Sequence, residues 1–327
     1  MALRRSLRSV VVLAVLGLGA AARAAGSMEE LKSSGWERSG LQFETLRARL
    51  QESQDVAPPA GAGDVQPRHE TDPAVHQWII FQARSIWSAA ELDARLPAAW
   101  SDSVADLDRA PLTYGARMED AETDMARYAL CGGHPYCGHF WDPAKGDAAG
   151  LFFFRRWDSA YIRAQKLWDV RVLPLYRAGR KDEAYYWLGR VAHLLADMSV
   201  PAHAHRDFHP LWESYERSLV ERGQGDYNFK RWTGSGAPAP AASLRELFLS
   251  LAGLSAGFDS AHAAGTMPGH SVGHNGAWEK QGRISRHYNV SYAECRRQAD
   301  VLMPAAFQHM AGLFKLFWTQ THPFAAD

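Results

Sequence analysis

Crosslinks contribute little to this sequence. It has three cysteines in 327 residues and no Cys-x-x-Cys pair, which excludes a disulfide framework and a structural zinc ribbon. Charge of one sign is missing as well. The 36 Lys and Arg are matched by 36 Asp and Glu, so no basic excess is available to hold a long nucleic acid. There is no internal repeat. One apolar run, Val10 to Ala22, is too short to span a bilayer, which takes about 20 residues. Stretches of strict two-residue alternation are also wanting, so strands are not expected. The conspicuous presence is histidine, with 14 residues.

Residues 1–25 read as an export signal: Arg4, Arg5 and Arg8, then the apolar run, then small residues including Ala22-Arg23-Ala24, an Ala-x-Ala-like cleavage site. Removing residues 1–24 takes four arginines and no acid, leaving 32 basic against 36 acidic side chains, a formal charge of −4. The mature protein is expected in the periplasm or outside the cell, with no transmembrane segment, as a monomer.

Residues 26–70 are polar and include a Pro/Gly/Ala-rich passage at 57–67, which reads as a linker after a short helix over 42–54. From residue 71 to 327 the apolar spacing is helical. Helices are predicted over 74–92, 158–177, 182–197, 211–221, 244–256 and 292–318, with Pro304 kinking or dividing the last. The expected fold is therefore all-α, a single compact multi-helix domain. Cys131 and Cys137 are expected to form a disulfide in an exported protein, with Cys295 buried in the last helix.

The densest chemistry lies between His193 and Glu213. His193 and Asp197 are four apart at a helix end and share a face. Pro201 ends that helix, and the following turn returns His203 to the same end. His209 and Glu213 repeat the four-residue spacing. Imidazole nitrogen and carboxylate oxygen are the donors Zn²⁺ accepts. His205 and Asp207 are expected to be bystanders that hydrogen-bond nearby.

The stretch Tyr186-Trp-Leu-Gly-Arg-Val-Ala-His193 through Asp197 to His203 resembles the signature of the bacterial zinc-dependent phospholipases C, in which a helix ends in His-x-x-x-Asp and Pro-x-His follows. His76-Gln-Trp-Ile-Ile-Phe-Gln-Ala resembles that family's first-helix histidine motif. His139-Phe-Trp-Asp-Pro143 resembles its His-Phe-Tyr/Trp-Asp-Pro turn. Leu112-Thr-Tyr-Gly-Ala-Arg-Met-Glu119-Asp120 falls where the family places an aspartate ligand after a Tyr-containing turn. The resemblance implies two or three Zn²⁺ ions: one on Asp120, His139, His193 and Asp197, a second shared through Asp197 with His76, and a third on His203, His209 and Glu213. Glu119 substitutes if the alignment slips by one. Asp120 would also act as the base. The family's amino-terminal tryptophan, which completes the His76 position, has no counterpart here, since cleavage would leave Ala25 or Gly26.

The activity implied is phospholipase C: hydrolysis of the glycerol–phosphate diester of phospholipids such as phosphatidylcholine, at a membrane surface or in micelles. A single-strand zinc nuclease shares this type of site. Those nucleases usually carry a Gly-Gly-Asn-rich stretch after the Pro-x-His, which is not found after His203, and no stable nucleic-acid partner is expected. The third alternative is a catalytically silent zinc-binding protein.

Overall fold

A computed structural model describes residues 72–127, 138–152, 155–207, 214–220, 229–260, 263–267, 279–281, 285–287, 290 and 292–323. The signal segment, the polar stretch and linker, Cys131, Cys137, His209 and Glu213 lie outside the described residues.

The described residues are mostly helical. In chain order the elements are α1 (Asp72–Ala83), α2 (Ala90–Asp93), α3 (Val104–Leu107), α4 (Pro111–Arg127), strands β1 (Ala148–Phe152) and β2 (Arg155–Asp158), then α5 (Ala160–Leu167). A π turn (Trp168–Val172) joins α5 to α6 (Leu173–Arg177). Next come α7 (Lys181–Asp197), α8 (Pro201–His205), α9 (Ser214–Val220), α10 (Leu244–Ser255), strands β3 (Glu279–Gln281) and β4 (Ser285–His287), and α11 (Tyr292–Thr321). No helix among the described residues is long and apolar enough to cross a membrane.

Helix α7 is the centre. It opens with Asp182 and Glu183 in its first turn, where negative charge is favoured by the helix dipole. From Ala184 to Asp197 every residue is buried. Around it pack α4, α5, α6, α10, α11 and α1, which explains why its charged residues, Arg190, His193 and Asp197, all have partners.

The contact between α4 and α7 is backbone against backbone. A Cβ built on Gly115 would sit 1.9 Å from the Tyr186 carbonyl oxygen, and one on Gly189 would sit 2.1 Å from that of Leu112. Only glycine allows this approach, and it places the next turns of both helices, carrying Asp120 and His193, side by side. Gly189→Ala should destabilise the protein by about 1–3 kcal/mol, the usual cost of overpacking. The obstructing atoms are main chain and cannot swing aside. The denaturation midpoint measures this, and an unchanged midpoint would mean that the two helices do not touch there.

Four features differ from the sequence expectations. The stretch read as a Tyr-containing turn before Asp120 is the 17-residue helix α4; Pro111 in its first turn suits a helix start, where its missing N–H costs nothing. The expected 74–92 helix stops at Ala83, and turns lead to the separate short α2. Of the two outcomes expected at Pro304, division does not occur: α11 runs through it as one helix. Its neighbours Met303, Ala306, Phe307 and Met310 are all buried, and that packing offsets the roughly 3 kcal/mol a proline costs in a helix interior. Finally, two short antiparallel hairpins, β1–β2 and β3–β4, accompany the helices; strands of three to five residues are too brief to leave a readable alternation. Cys295 is buried in α11 as expected.

Candidate metal centre

Five predicted ligands converge from three helices and one turn. His76 comes from α1, Asp120 from α4, His193 and Asp197 from α7, and His139 from the turn preceding β1. Two groups form among them: His76, His193 and Asp197, and Asp120, His139 and His193. Within each group the ligand atoms lie within 4.8 Å of one another. His193 belongs to both.

Asp197 ties the groups together. Its Oδ1 accepts from His76 Nε2 at 3.0 Å and its Oδ2 from His139 Nδ1 at 2.8 Å. His193 Nε2 lies 3.4 Å from Asp120 Oδ1 and 3.6 Å from Asp197 Oδ2. His139 Nδ1 is 3.8 Å from Asp120 Oδ1. The His76 and His193 rings stack at 3.9 Å. The four-residue phase on α7 accounts for the His193–Asp197 pair, and the Gly115–Gly189 approach brings Asp120 to it.

The ligands are oriented from behind. His193 Nδ1 donates to the Ala116 carbonyl at 2.8 Å, which aims Nε2 at the carboxylates. This is the outer support seen around metal-binding histidines. His203 Nδ1 donates to the His139 carbonyl at 2.9 Å, the Trp141 N–H donates to the His203 carbonyl at 3.1 Å, and Phe140 stacks on the His203 ring at 4.5 Å. The turn at His139 and helix α8 are thus clamped to each other. Pro201 starts α8 at a first-turn position, so the chain after α7 doubles back and sets His203 Nδ1 3.8 Å from Asp197 Oδ2, as the sequence predicts.

The electrostatics follow from the crowding. Burial disfavours an imidazolium, but Asp120 and Asp197 outweigh it and push His193 up to about 10. Against the same penalty, Asp197 and Glu216 raise His203 to about 9. Burial would raise the two aspartates, yet the neighbouring histidines hold Asp120 below and Asp197 well below the ordinary carboxylate range. Without an ion, protons on His193 and His203 are favoured by the carboxylates beside them. A divalent cation can take their place. In residue type, closeness and outer support, these buried His and Asp groups could hold a metal ion.

Glu119 is not part of the cluster. It is fully buried and pairs with Arg163, while its Oε2 accepts from Arg190 Nε at 2.6 Å. Burial alone would raise its pKa, but the two guanidinium groups hold it far below the usual range. Successive helix residues point about 100° apart, so α4 turns Glu119 to the arginines and Asp120 to the histidines. Of the two adjacent acids, it is Asp120 that stands beside His139 and His193.

The remaining position is partly visible. His203 Nε2 faces Glu216 Oε1 at 3.6 Å, an acid that sequence reading missed. Glu213 and Glu216 are three apart in sequence, so spacing alone does not separate them. His209 and Glu213 lie outside the described residues. His205 and Asp207 bind elsewhere: His205 Nε2 donates to the Phe258 carbonyl at 2.7 Å, and Asp207 accepts from the Ser260 hydroxyl at 2.8 Å. Between His76 and Glu216 a cavity of about 20 Å³ is lined also by Ser199, Tyr215, Ile79 and Met303. That is room for one water-sized group. No protein-family model and no curated protein matches the sequence.

Proposed function

We propose that the chain is an exported zinc-dependent phospholipase C that hydrolyses the glycerol–phosphate diester of phospholipids such as phosphatidylcholine. The observation that carries this reading is the convergence of His76, Asp120, His139, His193 and Asp197 in two overlapping groups sharing His193. The donor set suits Zn²⁺, and the order of the ligands along the chain follows the resemblance to the zinc phospholipases C. Zinc ions held by these groups would supply Lewis-acid polarisation of the phosphodiester and acidify a water molecule beside it.

The side chains divide the remaining work. His76, His193 and Asp197 are buried and take no part in contacting substrate; they hold position. Asp120 is the exception, with its side chain 26% exposed. Kept ionised by its histidine neighbours, it is the group that can meet solvent, orient the attacking water and accept its proton. Asp197, with one oxygen turned to His76 and the other to His139, touches a ligand of each group. The His139–His203 clamp keeps His203 beside them.

Elemental analysis of the purified mature protein, together with assays on phosphatidylcholine, p-nitrophenyl phosphorylcholine and single-stranded DNA, tests the proposal. Two or three zinc ions per chain and turnover of both choline substrates are expected. Hydrolysis of DNA alone would make it a nuclease, bound zinc without turnover would make it a binding protein, and a chain that takes up no zinc would end the metal-centre reading.

A further inference from the structure

Asp120 is held weakly by the cluster it serves. Its carboxylate reaches His193 at 3.4 Å and His139 at 3.8 Å, distances that do not lock a side chain. Turning α4 by a fraction of a residue would swing Asp120 away, so the contacts that fix the rotation of this helix bear directly on the site. The Gly115–Gly189 approach sets how close α4 and α7 lie, and the Ala116 carbonyl accepts from His193 Nδ1 across the same crossing; both contacts lie about one turn before Asp120.

The residue next to Asp120 makes a further such contact. Glu119 lies between Arg163 of α5, whose Nε donates to Oε1, and Arg190 of α7, whose Nε donates to Oε2. The two cations approach its two oxygens from different helices, so the carboxylate is fixed in direction as well as in place. Arg190 is itself seated over the Trp187 ring at 4.9 Å and stands one turn before His193 on the same helix. The α4 face that carries Glu119 is therefore tied to the helix that carries the shared ligand.

We propose that Glu119 is a positioning residue of the metal centre: clamped by Arg163 and Arg190, it fixes the rotation of α4 that presents Asp120 to His139 and His193. The inference rests on the reading of this cluster as a metal site. It assigns to a buried ion pair, separate from the ligands, control over the Asp120–His139–His193 group and none over the His76–His193–Asp197 group.

Zinc affinity measured by chelator competition on the full mature chain tests this, alongside the melting temperature of the chelator-treated protein. Glu119→Gln should weaken the Asp120-containing site by about 10–100-fold, the range for losing an outer partner of a metal ligand, and leave the other site's affinity unchanged. Arg163→Lys, which keeps the charge but not the planar fork, should weaken the same site by a smaller factor. It decides the matter if the glutamine variant does not fold. A lowered melting temperature with both zinc affinities intact would overturn the positioning role and leave the ion pair purely structural. An unmodified chain that binds no zinc would instead overturn the metal-centre reading beneath it.

Discussion

Replacing His193 with alanine is expected to remove two zinc ions per chain and to abolish diesterase activity. The reason is its double membership. His76 and Asp120 each belong to one group of ligands, whereas His193 belongs to both, and its Nδ1 is anchored on the Ala116 carbonyl, which aims its Nε2 at the carboxylates. Activity should fall by more than about a hundredfold, beyond the range for disturbing an outer partner alone. His76→Ala and Asp120→Ala should each cost one ion and, for Asp120, activity as well. The variant also leaves Asp197 and Asp120 without the cation between them, so the chelator-treated protein should melt earlier than its unmodified counterpart. Metal content and turnover measured on the same preparation are decisive: a His193→Ala protein that keeps its zinc and its activity would rule out this centre.

Changing pH should move metal affinity and metal-free stability in opposite directions. In the folded, ion-free chain His193 rises from an ordinary 6.5 to about 10. Its proton thus favours the folded state; the contribution is complete below about pH 6.5 and fades as pH climbs towards 10. Asp197 behaves oppositely. Held well below 3.8, its carboxylate stabilises the fold above that pH and the contribution is lost as acid is added. The chelator-treated protein should therefore melt highest between about pH 4 and 6.5 and progressively lower on the alkaline side. Zinc binding runs the other way, because the His193 proton must leave before the nitrogen can ligate. Apparent affinity should rise about tenfold per pH unit for each proton displaced, from pH 6 to 9. Thermal unfolding with chelator and competition titrations across this range check both slopes, and a zinc affinity that stays level would contradict the assignment of His193 as a ligand.

Much of the centre is legible along the chain because its parts are local. The four-residue step from His193 to Asp197 follows helical phase, and Pro201 ends one helix and starts the next. His203 consequently returns beside Asp197. The core of α7 is equally local: its apolar spacing predicts a helix over 182–197, and the helix spans Lys181–Asp197. Helix α4 escaped notice because its short apolar phase, broken by Gly115 and a run of charges, resembles a turn. Folding into a helix there depends on packing against α7, which a sequence pattern does not report.

Helical phase determines which residues share a face, and nothing beyond the chain's own order is needed for that. It does not determine which faces meet. His76 and Asp197 are 121 residues apart, and only the stacking of α1 on α4 and α7 brings them to 3.0 Å. The choice between Glu119 and Asp120 is of the same kind: both are acids, adjacent in sequence, and only the packing of α4 in the folded chain turns one to the arginines and the other to the histidines. Glu216 beside His203 is another such case. Residue type and spacing specify the donors; close contact between helix backbones, satisfied by two glycines and a buried ion pair, assembles them into a site.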